Sequence, residues 1–73
     1  MRIKVRPIGI IREFVTDREI DAAESITPEQ LIRDLKIPEK LKMVSFVNGK
    51  SIPLNKKLKD GDEVTLVTML GGG

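Results

Sequence analysis

The sequence predicts an α+β fold in which a mixed sheet of four to five strands packs on one main helix, in the order β-β-α-β-β-β. Three observations lead to this prediction. Short segments alternate between apolar and polar residues, as half-buried strands do. One capped helical segment follows the first two of them. The length of 73 residues suits a single domain, 1–73, with one small core.

Two strands are predicted before the helix. Residues 2–6 and residues 18–22 both alternate apolar and charged side chains, which is the period of a half-buried strand. The connection between them carries Ile10, Ile11 and Phe14. Because a bare polar loop would not hold three large apolar residues, we expect one helical turn folded onto the edge of the sheet.

The helix has clear start and stop signals. Thr27 can cap its first turn, Pro28 suits the first helical position, and Gln30 can reach back to complete a capping box. Pro38 disfavours helical angles at the preceding residue, so we expect the helix to end near Lys36. The helix presents three apolar residues on one face: Leu31, Ile32 and Leu35.

Three further strands follow. Residues 43–47 form the third, Asn48-Gly49 is a strong two-residue hairpin turn, and residues 50–54 return as a short strand that Pro53 confines to an edge or an end. Residues 63–69 form the last strand. A crossover through the helix would place the first and last strands side by side and parallel.

The composition excludes several classes of protein. There is no cysteine and no histidine, which removes disulfides, thiolate sites, and the commonest general base and metal ligand. No apolar run approaches the roughly 20 residues of a membrane span, and the N-terminus lacks the apolar stretch of a signal peptide. We therefore expect a cytoplasmic protein with no membrane partner.

Two charged segments carry no clear ligand site. The acidic segment 60–63 lacks the length and spacing of a calcium-binding loop, so we interpret it as a turn and expect no metal site. The basic cluster Lys56, Lys57 and Lys59 is interpreted as a solvated turn. Nucleic-acid binding usually needs a basic stripe with stacking aromatics, and we expect none here.

The end of the chain differs from the rest. A predicted strand runs directly into Met69, Leu70 and three glycines, 71–73. Such a tail, which we expect to be flexible over 70–73, can enter a narrow cleft because glycine has no Cβ. Its terminal carboxylate is open to attack on a nucleotide phosphate. The alternative is a frayed end without function.

The last strand also predicts a docking surface. If Val64 and Leu66 face the helix, the alternate residues face away from it. An apolar cluster on that side, beside the tail, suggests an interface, although it could also be a loosely covered edge of the core. The predicted partner-docking residues are Thr65, Val67, Met69 and Leu70.

Several motifs together resemble the MoaD/ThiS family of ubiquitin-like sulfur carriers over the whole chain. They are Val47-Asn48-Gly49-Lys50, the segment 58–64 from Leu to Val, and the Gly-Gly terminus. The segment 11–14, Ile-Arg-Glu-Phe, is similar to the MoaD side. The end 67–73 lacks the proline pair of MoaD and is closer to ThiS.

The resemblance implies a β-grasp domain that is a substrate rather than an enzyme. Gly73 would be adenylated by a ubiquitin-activating-like enzyme that uses ATP, then converted to a thiocarboxylate that donates sulfur to a downstream acceptor enzyme. Gly72 and Gly73 would be the reactive end, with Gly71 and Leu70 as the tail. We expect no bound cofactor and a monomer when the chain is free.

Alternatives remain open at this stage. The sulfur could serve molybdopterin, thiamine thiazole or tRNA thiolation. The same tail could instead be joined to lysines of target proteins, as in a ubiquitin-like modifier. A third possibility is a β-grasp module that binds RNA. A small hydrolase has almost no support, because no triad context surrounds Ser25, Ser45 or Ser51.

Overall fold

Residues 1–68 are described by the structure, a computed structural model, and residues 69–73 lie outside them. Within residues 1–68 the chain forms five strands, one α-helix and one 3₁₀ helix, which confirms the predicted order. The elements are β1 (Arg2–Pro7), the 3₁₀ helix (Gly9–Glu13), β2 (Arg18–Asp21), α1 (Pro28–Asp34), β3 (Met43–Val47), β4 (Lys50–Ile52) and β5 (Glu63–Thr68).

The strands form one mixed sheet in the spatial order β2-β1-β5-β3-β4. β1 and β5 run parallel at its centre, with Val5 opposite Val64, and the other neighbouring strands are antiparallel. The predicted pairing of the first and last strands is therefore confirmed. As a consequence, β5, the strand that precedes the tail in sequence, is the central strand of the sheet rather than an edge.

The core lies between α1 and one face of the sheet, which we call the inner face. Val5, Val64 and Leu66 on the strands are at most 1% exposed, and they join Leu31 and Ile32 of α1 in one hydrophobic cluster. The third apolar residue of the predicted helical face is only half-buried, because Leu35 lies at the end of the helix.

One polar side chain is buried in this core, among the residues that the structure describes. Ser45 of β3 is fully buried, and its hydroxyl donates a hydrogen bond of 3.1 Å to the carbonyl of Ile52 on β4. Burying a hydroxyl without a partner would cost free energy. The bond to the neighbouring strand removes that cost.

The start of α1 is capped as predicted. The backbone N–H of Gln30 donates to the Thr27 hydroxyl, and the Thr27 N–H donates to the Gln30 side-chain oxygen, both at 3.2 Å. This reciprocal capping box satisfies two N–H groups that a helix start leaves unpaired. Pro28 occupies the first helical position, where it has no N–H to lose.

The end of α1 is a Schellman motif built on a lysine. Leu35 is the C-cap, so the helix ends slightly before the predicted position. Lys36 follows with a φ of 60°, its N–H donates to the Arg33 carbonyl, and the N–H of Ile37 donates to the Ile32 carbonyl. These two bonds define the motif, which most often places glycine at the left-handed position.

The connection between β1 and β2 contains the predicted helical turn, but its packing differs from the expectation. Ile11 is fully buried, whereas Ile10 and Phe14 are 45% and 46% exposed. The N–H of Val15 donates to the Ile11 carbonyl, and Val15 is buried in the same core cluster as Ile11. The side chain of Phe14 is left outside.

The β3–β4 hairpin turns at Asn48 and Gly49, with φ values of 52° and 87°. Both residues have the positive φ of the type I′ turn that this pair predicts. The Asn48 side-chain oxygen also accepts a hydrogen bond of 3.2 Å from the backbone N–H of Glu63, which ties the turn to β5. β4 ends at Ile52 rather than at residue 54, because Pro53 cannot donate to the ladder.

Candidate protein-docking surface

The outward residues of β5 have the orientation that their alternation predicts. Thr65 and Val67 lie on the face of the sheet away from α1, which we call the outer face, whereas Val64 and Leu66 are fully buried on the inner face. Thr65 and Val67 are half-buried. Their docking role stays a prediction at this point, and Met69 and Leu70 of the same set lie outside the described residues.

β3 contributes two apolar residues to the same surface. Val44 lies directly opposite Val67, and Phe46 lies opposite Thr65. The sequence prediction did not include either residue. A signal was present, because the β3 segment Met-Val-Ser-Phe-Val is apolar on both faces of the strand, which is typical of a strand with both faces in contact with protein.

Ile8 extends the surface on the other side of β5. Its N–H donates a 2.9 Å hydrogen bond to the Leu66 carbonyl, which continues the parallel ladder and places Ile8 next to Val67. The Ile8 side chain is 48% exposed. We call the following four residues the outer apolar patch: Ile8, Val44, Phe46 and Val67.

The 3₁₀ helix adds exposed apolar area directly after Ile8. Ile10 and Phe14, with Ile8, are the large apolar side chains of residues 1–68 that are most exposed. All three fall within one short segment. A cluster of such residues is more typical of a contact surface than scattered single residues are.

The part of the outer face formed by β1 and β2 is charged, and most of its charges lie in ion pairs. Arg2 of β1 contacts Glu19 at 3.0 Å and Asp21 at 3.7 Å, and Arg6 contacts Glu63 at 3.9 Å. The hydrogen bond to Glu19, with the charge of Asp21, raises the pKa of Arg2 above its ordinary value. The outer face therefore divides into an ion-paired half and an apolar half.

The acidic segment 60–63 forms the predicted turn. A carboxylate oxygen of Asp60 accepts a 2.7 Å hydrogen bond from the Arg2 N–H, and one of Asp62 accepts a 2.8 Å bond from the Lys59 N–H. Gly61 between them has a φ of 87°. These two carboxylates therefore accept hydrogen bonds from backbone N–H groups.

Two kinds of feature were not found in the described residues. No group of three or more His, Cys, Asp or Glu side chains within residues 1–68 is placed to hold a metal ion. In the same part of the chain, no helix has both the length and the apolar character needed to cross a membrane.

The outer apolar patch lies at the end of β5 where the glycine tail begins. Val67 is one residue before Thr68, the last described residue. The predicted reactive residues Gly72 and Gly73, and Gly71 of the tail, lie outside the described part. The patch itself carries no nucleophile, acid or base. Its side chains offer apolar contact area, which directly precedes the tail in sequence.

Comparisons with known proteins indicate the family of the chain. The model of the ThiS family matches residues 5–73. A search of curated proteins found no significant match.

Solved structures of similar fold cover the whole chain. One, from a complex of subunits 1 and 2 of molybdopterin-converting factor from Helicobacter pylori, is 30% identical, with a TM-score of 0.66 and 100% of each chain covered. The thiamine biosynthesis protein ThiS from Geobacter metallireducens is 25% identical, with a TM-score of 0.64 and the same coverage. SAMP1 from Haloferax volcanii shares the fold, with 15% identity, a TM-score of 0.76 and full coverage of both chains.

The family match spans nearly the entire chain, and the mixed sheet on one helix is the ubiquitin-like β-grasp of these neighbours. The chain therefore belongs to the ThiS family of small ubiquitin-like sulfur carriers.

Proposed function

We propose that this chain carries sulfur as a thiocarboxylate on Gly73, after an adenylating enzyme of the ubiquitin-activating kind has activated that residue with ATP. The observation that carries the proposal is the position of the outer apolar patch. Val67 and its neighbours Ile8 and Val44 lie at the end of β5 that leads into the tail. An enzyme that binds the patch would have the terminal carboxylate within reach of its own active site.

The reach of the tail is sufficient for this purpose. An extended chain advances about 3.3–3.6 Å per residue, so the residues after Thr68 could span about 17 Å. Three of them are glycines, which have no side chain to obstruct a narrow channel. The folded domain would stay outside while its carboxylate enters.

The chemistry requires activation because a carboxylate is a poor electrophile. An oxygen of the Gly73 carboxylate would attack the α-phosphorus of ATP, and pyrophosphate would leave. A sulfide donor would then attack the acyl carbon of the adenylate, and AMP would leave with the electrons of the broken C–O bond. The product is a thiocarboxylate. The chain supplies the carboxylate and the docking surface, and the partner supplies the catalytic groups.

We further propose a downstream enzyme that accepts the sulfur. A solved structure holds subunits 1 and 2 of molybdopterin-converting factor in one complex, and this chain is 30% identical to the matched chain of that complex. A thiamine biosynthesis protein is 25% identical. Molybdopterin and thiamine thiazole synthesis are therefore the first destinations to test for the sulfur, with tRNA thiolation as a third.

Mass spectrometry of a reconstituted reaction tests the proposal. The purified chain would be incubated with the adenylating enzyme of the same genome, ATP and sulfide. We expect a product heavier by one oxygen-to-sulfur exchange, which fragmentation places on Gly73. Omitting ATP should abolish it.

A chain extended by one residue beyond Gly73 is the matched control. Its fold should be unchanged, because the addition follows the tail, but it should give no product. A thiocarboxylated product from the extended chain, with no trimming detected, would show that a free Gly73 carboxylate is not required.

A protein modifier is the second candidate, since its chemistry is the same as far as the adenylate. Two solved structures of SAMP1, the small archaeal modifier protein 1 of Haloferax volcanii, share this fold. Conjugation would join Gly73 to a lysine amine through an isopeptide bond. Proteolysis of cell extracts followed by a search for lysines carrying the C-terminal glycines would separate this candidate from the carrier.

A further inference from the structure

A second surface lies at the opposite end of β5 from the tail. It is a hollow between the β3–β4 hairpin and the segment 55–62, and its floor is apolar: Val47 and Ile52 are half-buried and Leu58 is buried. Four exposed lysines surround the floor: Lys50, Lys56, Lys57 and Lys59. We call this surface the lysine-rimmed hollow.

The positive charge of the hollow is not neutralised from within. Asp62 is the one acidic residue of its lining, and its carboxylate accepts hydrogen bonds from the Lys59 backbone N–H at 2.8 Å and from the Asn48 amide at 3.4 Å. No ion pair within residues 1–68 includes any of the four rim lysines. This contrasts with Arg2 and Arg6 on the outer face, which are paired with carboxylates.

The hollow and the outer apolar patch lie on opposite faces of the sheet. Val47 and Ile52 of the hollow are paired with Val64 and Ser45, which are buried on the inner face. Phe46 of the patch follows Val44 on the outer face, so it points away from the hollow although it is next to Val47 in β3. A partner in the hollow would therefore leave the tail and its docking surface accessible.

We propose that the lysine-rimmed hollow docks an acidic protein segment that carries an apolar side chain between carboxylates. The apolar side chain would cover Val47, Ile52 and Leu58, and the carboxylates would meet the surrounding ammonium groups. The apolar side chain of this ligand matches the apolar floor, and its carboxylates match the four rim lysines, which have no ion-pair partner within residues 1–68. A nucleic acid fits less well, because the lining has no aromatic side chain on which a base could stack.

Titration of the ¹⁵N-labelled full chain, followed by NMR, tests the proposal with three probes. The first is a synthetic peptide in which two glutamates flank a leucine on each side. The second has serine in place of that leucine, and the third is an oligouridylate of the same net charge. We expect saturable shifts confined to residues 47–62 with the leucine peptide, weaker binding of the serine peptide, and no comparable binding of the oligouridylate.

Two charge-reversal variants provide the matched comparison. Lys56→Glu/Lys57→Glu should weaken binding of the leucine peptide by about tenfold, because two attractions become repulsions. Lys40→Glu/Lys42→Glu makes the same change in net charge at two exposed lysines outside the hollow. It should change the affinity for the leucine peptide by about twofold or less.

Three results would overturn the proposal: no saturable shift, equal weakening in the two variants, or oligouridylate binding in the hollow as tight as that of the leucine peptide. None of them bears on thiocarboxylate formation at Gly73, which is measured separately.

Discussion

Val44 of β3 lies directly opposite Val67 of β5 on the outer face of the sheet. Directly opposed side chains on one face of an antiparallel pair contact each other, and apolar pairs stabilise the pairing by some tenths of a kcal/mol. Here the contact has a second consequence. It joins the strand that precedes the tail to a neighbouring apolar strand, and so builds the outer apolar patch that we propose as the docking surface.

Ile8→Asp should weaken the complex with the adenylating enzyme while leaving the fold intact. Ile8 is 48% exposed, so the free energy of unfolding should change by about 0.5 kcal/mol or less. A carboxylate within an apolar contact would be desolvated without a partner, at a cost to binding of about 1–2 kcal/mol or more. Calorimetric titration and thermal unfolding would measure the two effects.

Ala23→Asp is the control for this variant, because it adds the same charge to an exposed residue that belongs to the loop before α1. It should bind the enzyme as the unmodified chain does. Equal affinity of both variants would show that the outer apolar patch is not the docking surface.

Leu31→Ala should destabilise the domain by about 2–5 kcal/mol, because truncating a buried leucine loses burial and leaves a cavity. Leu31 is fully buried between α1 and the sheet. Leu35→Ala should cost clearly less, since Leu35 is only half-buried at the C-cap. Urea unfolding of the two variants tests the order, and a larger loss for Leu35→Ala would contradict the orientation of α1 described above.

Lys36→Gly should stabilise the domain by about 0.5–1 kcal/mol. Lys36 has a φ of 60°, and a residue with a Cβ pays about 1 kcal/mol or more in that left-handed region. The neighbouring Asp34→Gly should instead destabilise by about 0.3 kcal/mol, because Asp34 is helical and glycine is a poorer helix former than aspartate. If Lys36→Gly were no more stable than the unmodified chain, the result would argue against the left-handed conformation of Lys36 and the Schellman motif.

Asn48 combines two contributions that a pair of variants can separate. Asn48→Gly keeps the positive φ of the turn but loses the side-chain hydrogen bonds of Asn48 with the Glu63 N–H and the Asp62 carboxylate. Asn48→Ala loses both. We expect Asn48→Gly to cost about 1 kcal/mol and Asn48→Ala about 1 kcal/mol more, as measured by chemical unfolding. Equal losses would mean that the backbone conformation contributes nothing.

The elements and their order could be predicted because their signals are local. The capping box at Thr27, the Asn48-Gly49 turn and the alternation along β1 and β5 each depend on residues close in sequence. The parallel pairing of β1 with β5 followed from the order of the elements. The outward orientation of Thr65 and Val67 followed from the strand period.

The composition of the surfaces required the tertiary structure. That Val44 and Ile8 flank Val67 depends on the register between strands that are distant in sequence, and periodicity does not report register between strands. Likewise, Lys50 joins Lys56 and Lys57 around one hollow only because the hairpin folds against the segment after it.

The 3₁₀ helix shows the same division. Ile10, Ile11 and Phe14, which lie in this helix and at its C-cap, indicated a packed turn. The turn is present, but Ile11 and Val15 are buried in the core, whereas Ile10 and Phe14 are exposed. The sequence by itself determined the β-β-α-β-β-β order, the capping box at the start of α1 and the glycine end. The tertiary structure decided which apolar and charged side chains lie together, because packing selects among residues of equal hydrophobicity by position.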